Sequence, residues 1–578
     1  MEGERRDEGS QPHFRNPGFW ICTGIVFCTL ANSLLGEYSP SADVVAYLDI
    51  SDLIRAHQWH SVVNGYWFPL YPALLAIARV PLGSSLHYEL MAARLMGAAT
   101  NLLFIAATVF LVDALWTLQV NRGIAGLVPR GALRIWAAVF SFSFSAKFLT
   151  WITPDSVLSA LILLIVGFLV RAVAKASLPS WITAGIAGGF AFWTKTFALP
   201  FVALSVIFIA LLNVRRTGVL RGLAAFSVVF LGIAAPWIWQ LSSAEGKLSY
   251  GATGGLAAAW YVDGADRFNP VADPSLFHPG DAKANFRHPG ELLSKHPEVV
   301  YFDRRVPGST PQWDDPAFWS EGLTPRFVLH RSVTAFRTQA IAVIRALGGD
   351  LEILALIAAL PMFGFGLRKG TIDDPLIIAV SLIALAGIGV YALVLVEGRY
   401  VVFAFVIVGT LYAACCTARL PEANRETYLR KAILLIAVVI ILSHFDGAMS
   451  DRRRMVQAGG NPLRGIYSQP VVAAGARLAK DFPAGTEIAC MGDLACWNDP
   501  YWARYAHVRM STVIETGNGW DQKDASIGCE KLKSDPSVLD TLRKRNLRAI
   551  VAVFEEAPPC SAQWKHMDSA GDFFYLPL

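Results

Sequence analysis

Charge is scarce in this sequence. Asp, Glu, Lys and Arg make up 16% of its 578 residues, whereas a soluble globular chain carries about 25%, so an ordinary soluble domain is excluded. No internal repeat, low-complexity tract or basic stripe runs through it, which argues against a solenoid, a disordered chain and a nucleic-acid binder. It has no Asp-x-Asp triplet, no G-x-G-x-x-G and no phosphate loop, so it shows no sign of a site for a nucleotide or nucleotide sugar. Cysteine is sparse too: of eight, Cys22, Cys28, Cys415 and Cys416 fall in apolar runs or at their ends, and among the other four the close pair Cys490 and Cys496 has no second close pair to complete a metal site.

What the chain has instead is apolar length. It is 54% hydrophobic, with a mean hydropathy of +0.43, and its apolar runs are long enough to cross about 30 Å of hydrocarbon as helices. About eleven spans are expected, at 18–36, 88–117, 134–151, 155–172, 181–198, 199–213, 219–241, 350–367, 375–395, 400–418 and 430–446. The first reads as a retained anchor rather than a cleaved signal peptide, because it spans fully and others follow. Basic residues fall in alternate connections: Arg5, Arg6 and Arg15; Arg122, Arg130 and Arg134; Arg171 and Lys175; Arg215, Arg216 and Arg221; Arg368 and Lys369; Arg419, Arg425, Arg430 and Lys431. The positive-inside rule then predicts a multi-pass inner (plasma) membrane protein with a cytoplasmic N-terminus and an extracytoplasmic C-terminal tail. The modest net charge of +5 resides in those cytoplasmic connections.

This topology puts residues 37–87, 242–349 and 447–578 on the outer face. The first two are outer loops of a membrane domain spanning 1–446, and 447–578 is a separate extracytoplasmic domain. Segment 242–349 is rich in Pro, Gly, His and Asp and reads as an irregular loop lying over the membrane domain. In the tail, "VVAAGARLAKDF" and "DTLRKRNL" read as helices and "EIACMG", "RAIVAVF" and "FFYLPL" as strands, predicting a small α/β domain. Its four cysteines, Cys490, Cys496, Cys529 and Cys560, face an oxidising compartment, and Cys490 with Cys496 is the first disulfide expected.

Three acids follow the first span, in "SADVVAYLDISDLI" (41–54). Apolar residues at helical spacing predict a helix lying along the membrane surface, with Asp43 in its first turn and Ser41 free to cap it. Asp49 and Asp52 read as its wet face. Asp43 either complements the positive end of the helix dipole or acts on a substrate.

That surface helix, with its D-x-x-x-Y spacing, is followed by "YWFPLYPALLAIA" (66–78), then by "WITPDSVLSALIL" (151–163), "AGIAGGFAFWTKTFALPF" (184–201) and "VEGRYVVFAF" (396–405). In this order the segments resemble the GT-C membrane glycosyltransferases, in particular the bacterial relatives of the protein O-mannosyltransferases and the lipid A aminoarabinose transferases. The resemblance covers about 18–418 and leaves out the tail. It implies an α-helical polytopic GT-C fold and a polyprenyl-phosphate-linked sugar as donor. It further implies transfer on the outer face, with Asp43 as catalytic base. A carboxylate within hydrogen-bond reach takes the proton of the acceptor hydroxyl, and a single displacement inverts the anomeric centre.

A lipid phosphate leaving group calls for cations, and Arg399 and Lys195 are the candidates. Arg399 has Glu397 as an alternative partner, and Lys195 has snorkelling to the interface. Asp155, after Pro154, either begins a helix or lines the site. Tyr47, Trp67, Phe68, Tyr71, Trp151 and Tyr400 are placed to meet sugar or isoprene, or to sit in the interfacial aromatic belt. His57 and His60 read as surface histidines. Gly185 and Gly189 form a small-x-x-x-small face suited to helix packing.

Val44 follows Asp43 where close relatives often carry a second acid. A two-carboxylate metal site is therefore not expected, and no cofactor is predicted. The expected partners are the polyprenyl-phosphate donor, membrane lipid, and an acceptor glycan, lipid or protein; nucleic acid is not among them. Two other readings remain: a multi-span transporter or flippase of lipid-linked sugars, and a noncatalytic scaffold of the same fold. Transporters commonly show internal repeats and broken helices at the midplane, whereas here the unusual charges gather at one face.

Overall fold

The computed structural model describes residues 17–35, 40–81, 86–145, 151–265, 283–303, 308, 310–348, 351–418, 424–457, 469–498, 500–515, 525–554, 558–560, 563–567 and 572–578. Every expected span contains a helix: Pro17–Leu35, Leu86–Asn121, Arg130–Ser145, Asp155–Lys175, Leu178–Thr194, Ala198–Asn213, Val219–Glu245, Leu351–Met362, Pro375–Ala392, Gly398–Cys415 and Arg425–Gln457. Among the described residues, 7 are long and apolar enough to cross a membrane. The other four, beginning at Arg130, Leu178, Ala198 and Leu351, are shorter, with 16, 17, 16 and 12 residues. The expected 350–367 span stops early because Phe365–Leu367 leaves the helix to pair with Cys416–Ala418 as a two-stranded ladder. Large apolar side chains such as Leu211, Val228, Trp239, Leu435 and Leu442 point away from the protein; water would disfavour such a surface, and lipid does not.

Glycines let two of these helices touch. A Cβ on Gly189 would fall 2.5 Å from Ile233 Cβ, and one on Gly185 would fall 2.7 Å from the Phe226 carbonyl oxygen. The small face of Leu178–Thr194 therefore packs against Val219–Glu245, as helices in a bilayer commonly do. At one end of the bundle, basic connections meet acids: Asp374 pairs with Arg122 at 3.2 Å and with Arg216 at 2.8 Å. Arg5, Arg6, Arg15 and Arg419 lie outside the described residues.

At the other end sits a seven-stranded sheet. Its strands are β1 (Glu291–Lys295), β2 (Glu298–Tyr301), β3 (Glu487–Met491), β4 (Arg509–Ile514), β5 (Ala549–Val553), β6 (Lys565–His566) and β7 (Phe573–Pro577), in the order β6-β7-β5-β3-β4-β2-β1. The central pairs β5/β3 and β3/β4 are parallel, and those toward the edges are antiparallel. Successive residues of a strand face opposite ways. Ile488, Cys490 and Val551 pack with Gln469–Asp481 and Tyr501–Ala506 in a core continuous with the membrane helices. Ala489, Met491 and Ile550 join a second core under Ser526–Ser534 and Ser537–Lys544. Disulfides join Cys490 to Cys496 and Cys529 to Cys560.

Strands β1 and β2 come from the segment expected to be an irregular loop. They are short, and β1 is irregular in register after Leu292, so neither offers the long apolar alternation by which a strand is read. Their order comes from pairing, with Val300 opposite Val513 on β4.

The expected surface helix forms at Ala42–Arg55. Ser41 does not cap it with its side chain; its carbonyl accepts the Val44 and Val45 amides instead. The assignment of Asp49 and Asp52 to a wet face is corrected for Asp49, which is buried at 5% exposure. Arg504, from the sheet domain, reaches down to it and donates to Asp49, to Asp52 at 2.6 Å and to both oxygens of Glu89 at 3.0 and 2.8 Å. Tyr501 adds an O–H to Glu89 at 2.7 Å, and Arg79 pairs with Asp52 at 2.8 Å and Glu89 at 3.1 Å. Helical spacing shows that Asp49 and Asp52 share a face, but not that an arginine of the sheet domain covers it. Burial opposes the charge on Arg504, yet Glu89, Asp49 and Asp52 hold its proton well above the ordinary range.

Arg504→Ala should strip Asp49 of its cation and leave Glu89 to Arg79 and Tyr501 alone, at a cost of about 3–5 kcal/mol. A lower melting temperature in detergent and faster proteolysis of the C-terminal domain are expected; unchanged values would show that the clamp is dispensable.

Candidate functional site

A cavity of about 400 Å³ opens where several helices begin. Asp43 stands in the first turn of Ala42–Arg55, Asp155 opens Asp155–Lys175, Arg399 and Tyr400 open Gly398–Cys415, and Thr253 opens Thr253–Tyr261. All of them line the cavity, so several positive helix ends turn toward one space, an arrangement that favours an anion. Lys195 joins them from the extended residue that ends Leu178–Thr194.

Of the eight side chains expected at the site, Asp43, Tyr47, Trp67, Asp155, Lys195, Arg399 and Tyr400 line this cavity. Tyr71 does not; it is fully buried behind Tyr47, the ring centroids 5.2 Å apart. Its hydroxyl has no hydrogen-bond partner among the described residues. Phe68 is part of the wall, whereas Trp151 stands outside the lining and stacks on the Arg399 guanidinium at 4.9 Å. His57 and His60 are not part of this cavity.

The two carboxylates are held differently. Asp155, 4% exposed, sits between the cations, with Lys195 Nζ 2.5 Å from Oδ1 and Arg399 Nε 3.7 Å from Oδ2. It neither caps a helix nor stands free, and Lys195 does not snorkel away. Asp43 is the more accessible, its side chain 29% exposed, with Arg399 3.9 Å from Oδ2. Its Oδ1 accepts a hydrogen bond from the Trp313 indole at 3.0 Å. Arg399 also pairs with Glu397 at 2.6 Å and donates to the Tyr400 hydroxyl at 3.2 Å. The Glu397 pairing foreseen as an alternative is therefore present, and Arg399 faces the cavity as well.

Aromatic rings shape the remaining walls. Lys195 lies 4.4 Å over the Tyr400 ring, a cation–π contact that keeps its ammonium in place. Tyr47 meets Trp67 edge to face at 4.9 Å, and Trp67 donates its indole N–H to the Trp313 carbonyl at 2.8 Å. Burial, reinforced by Asp43 and Asp155, keeps the Tyr47 phenol well above its ordinary value, so its O–H remains a donor. Gly251, at φ +116°, has no room for a side chain: a Cβ would lie 2.3 Å from Thr196 Cγ2. Among the described residues, no three His, Cys, Asp or Glu side chains gather as a metal-binding set.

Trp313, Tyr391 and the Tyr250–Gly255 wall were not foreseen. Trp313 and the wall lie in the segment read as a loop, where no periodicity marks a residue; Tyr391 looks like any aromatic near a span end. Only the fold brings Trp313 over Asp43, a separation of 270 residues.

No family model matches the chain, and no curated protein matches it significantly. Among solved structures, ArnT from Cupriavidus metallidurans, a lipid A aminoarabinose transferase, matches in two states. The apo state gives a TM-score of 0.54 at 14% identity, covering 97% of this chain and 98% of that one. The state bound to undecaprenyl phosphate gives 0.53 at 15% identity, with coverage of 97% and 98%. The likeness takes in the membrane helices and the sheet domain alike, and this chain has the GT-C fold.

Proposed function

We propose that this chain is a membrane glycosyltransferase that moves a hexose or pentose from a polyprenyl-phosphate donor to an acceptor hydroxyl, with Asp43 as base. The observation that carries this reading is the division of labour in the cavity: Asp155 is occupied by Lys195 and Arg399, while Asp43 is accessible and held on one oxygen by Trp313. The fold supports it, since a solved structure of that fold holds undecaprenyl phosphate. Basic connections at the far end of the bundle support the sidedness proposed here. On that sidedness, the protein sits in the inner membrane with its N-terminus cytoplasmic and its sheet domain outside.

In the proposed step the acceptor oxygen attacks the anomeric carbon and its proton passes to Asp43. The bond from that carbon to the phosphate oxygen breaks, and its electron pair leaves with the polyprenyl phosphate. Attack opposite the leaving group inverts the anomeric centre. Arg399 offers a planar fork to the phosphate and Lys195 a compact charge, and Asp155 keeps both aimed at the cavity. These two cations do the work for which many transferases use a divalent metal, and none is required in this proposal. Tyr47, Trp67 and Tyr400 are proposed to contact the sugar, while Tyr71 supports Tyr47 from behind.

Asp43→Asn should lower transfer of labelled sugar in reconstituted membranes by about 10²- to 10⁴-fold, the range of a lost general base, while undecaprenyl phosphate still binds. Full activity in that variant would move the base elsewhere. For Arg399→Gln, the donor concentration giving half-maximal rate should rise about 10- to 100-fold, as expected when hydrogen bonds to a charged group are lost; an unchanged value would remove Arg399 from the donor site. Wild-type transfer should persist in excess EDTA, and a loss reversed by added Mg²⁺ or Mn²⁺ would overturn the metal-free mechanism.

A further inference from the structure

A second cavity, of about 730 Å³, adjoins the first. The two share Tyr250, Gly251 and Gly255 as a common wall. They are also joined through the chain: Trp313 holds Asp43 in the first cavity, and Asp315, Phe318, Ser320 and Glu321, two to eight residues on, line the second. An acceptor hydroxyl must come to Asp43, and the space behind this partition is where its carrier has room.

The lining says what kind of carrier. Glu245 and Glu321 bring carboxylates, Ser249 and Ser320 hydroxyls, and His288 stacks on Phe318 at 3.9 Å with the rings nearly parallel. Two of the three carboxylates have cationic partners within the protein: Glu321 pairs with Arg287 at 2.6 Å and lies 3.1 Å from His288, and Glu245 lies 3.7 Å from Lys247 and accepts from Ser249 at 2.9 Å. Asp315 accepts the Phe318 amide at 3.2 Å. Such a site offers many hydrogen-bond partners and an aromatic platform without a strong field of either sign. An acyl chain would leave those polar groups desolvated and unmatched, and a phosphate would meet no uncommitted cation among the lining residues. A different cavity, of about 500 Å³, is lined by Trp59, Leu70, Phe190, Trp193 and Trp237 and suits an apolar chain.

We infer that the 730 Å³ cavity binds the acceptor and that this acceptor is a glycan, its hydroxyls meeting Glu245, Glu321 and the serines and one sugar face lying on the His288–Phe318 platform. The inference rests on the glycosyltransferase reading and adds the class of its second substrate. The transferred sugar would then be linked to a sugar hydroxyl rather than to a protein side chain or a phosphate.

The test is transfer of labelled sugar from polyprenyl-phosphate donors to crude envelope by the full-length protein in vesicles, followed by linkage analysis of the product. A bond to a sugar hydroxyl survives both alkaline β-elimination and mild acid; a bond to Ser or Thr is lost in alkali, and a bond to phosphate in mild acid. Label stable to both treatments is expected. Glu321→Gln and Phe318→Ala should each raise the envelope concentration for half-maximal transfer about tenfold or more, with little change in maximal rate or in thermal stabilisation by undecaprenyl phosphate. Label released by alkali or mild acid, or an unchanged acceptor dependence in both variants, overturns the glycan assignment while leaving the glycosyltransferase reading intact. Absence of transfer by wild type with every donor overturns that reading and this inference with it.

Discussion

Charge removed from water must find a partner, and two buried ion clusters shape the cavity end of this protein. In one, Asp155 lies between Lys195 and Arg399. In the other, Arg504 lies among Asp49, Asp52 and Glu89. The first fixes the starts of Asp155–Lys175 and Gly398–Cys415 against the junction after Leu178–Thr194, and so sets the width of the cavity. The second fastens the sheet domain to the helix that carries Asp43. Because Asp43 and Asp49 share one short helix, the two clusters are mechanically linked: the clamp at one end of the helix limits how far the carboxylate at the other can move.

The 242–349 segment completes this linkage. It begins at the cavity with Tyr250–Gly255, gives β1 and β2 to the sheet and returns through Trp313 to Asp43. The helix bundle, the surface helix and the sheet domain, already joined through Arg504, are tied a second time by this one stretch of chain. The C-terminal sheet is therefore structurally continuous with the site, and its inner core merges with that of the bundle.

What could be read in advance follows from the range of each signal. The spans were legible because apolar length is a local property, and even the short Leu351–Met362 showed itself as an apolar run. Asp43, Asp155, Lys195 and Arg399 stood out because they lie at the outer ends of apolar runs, within the segments that resemble the GT-C enzymes, and the structure gathers them in one cavity. Asp49 was misplaced because helical periodicity shows which residues share a face, not what covers that face. Trp313 could not be singled out, since an aromatic residue in a Pro-rich loop has no local feature that names its partner.

Hydropathy and helical spacing act over a few residues, so a bundle of membrane helices, with acids and cations at the ends of its apolar runs, was already written in the chain. Which of those charges neutralise one another, and which stays accessible, was settled only by folding. It placed Arg504 on Asp49 from 455 residues away and Trp313 on Asp43 from 270. Pairings of that kind depend on where distant segments meet, and a buried charge restricts its partner by sign and reach, not by position in the chain.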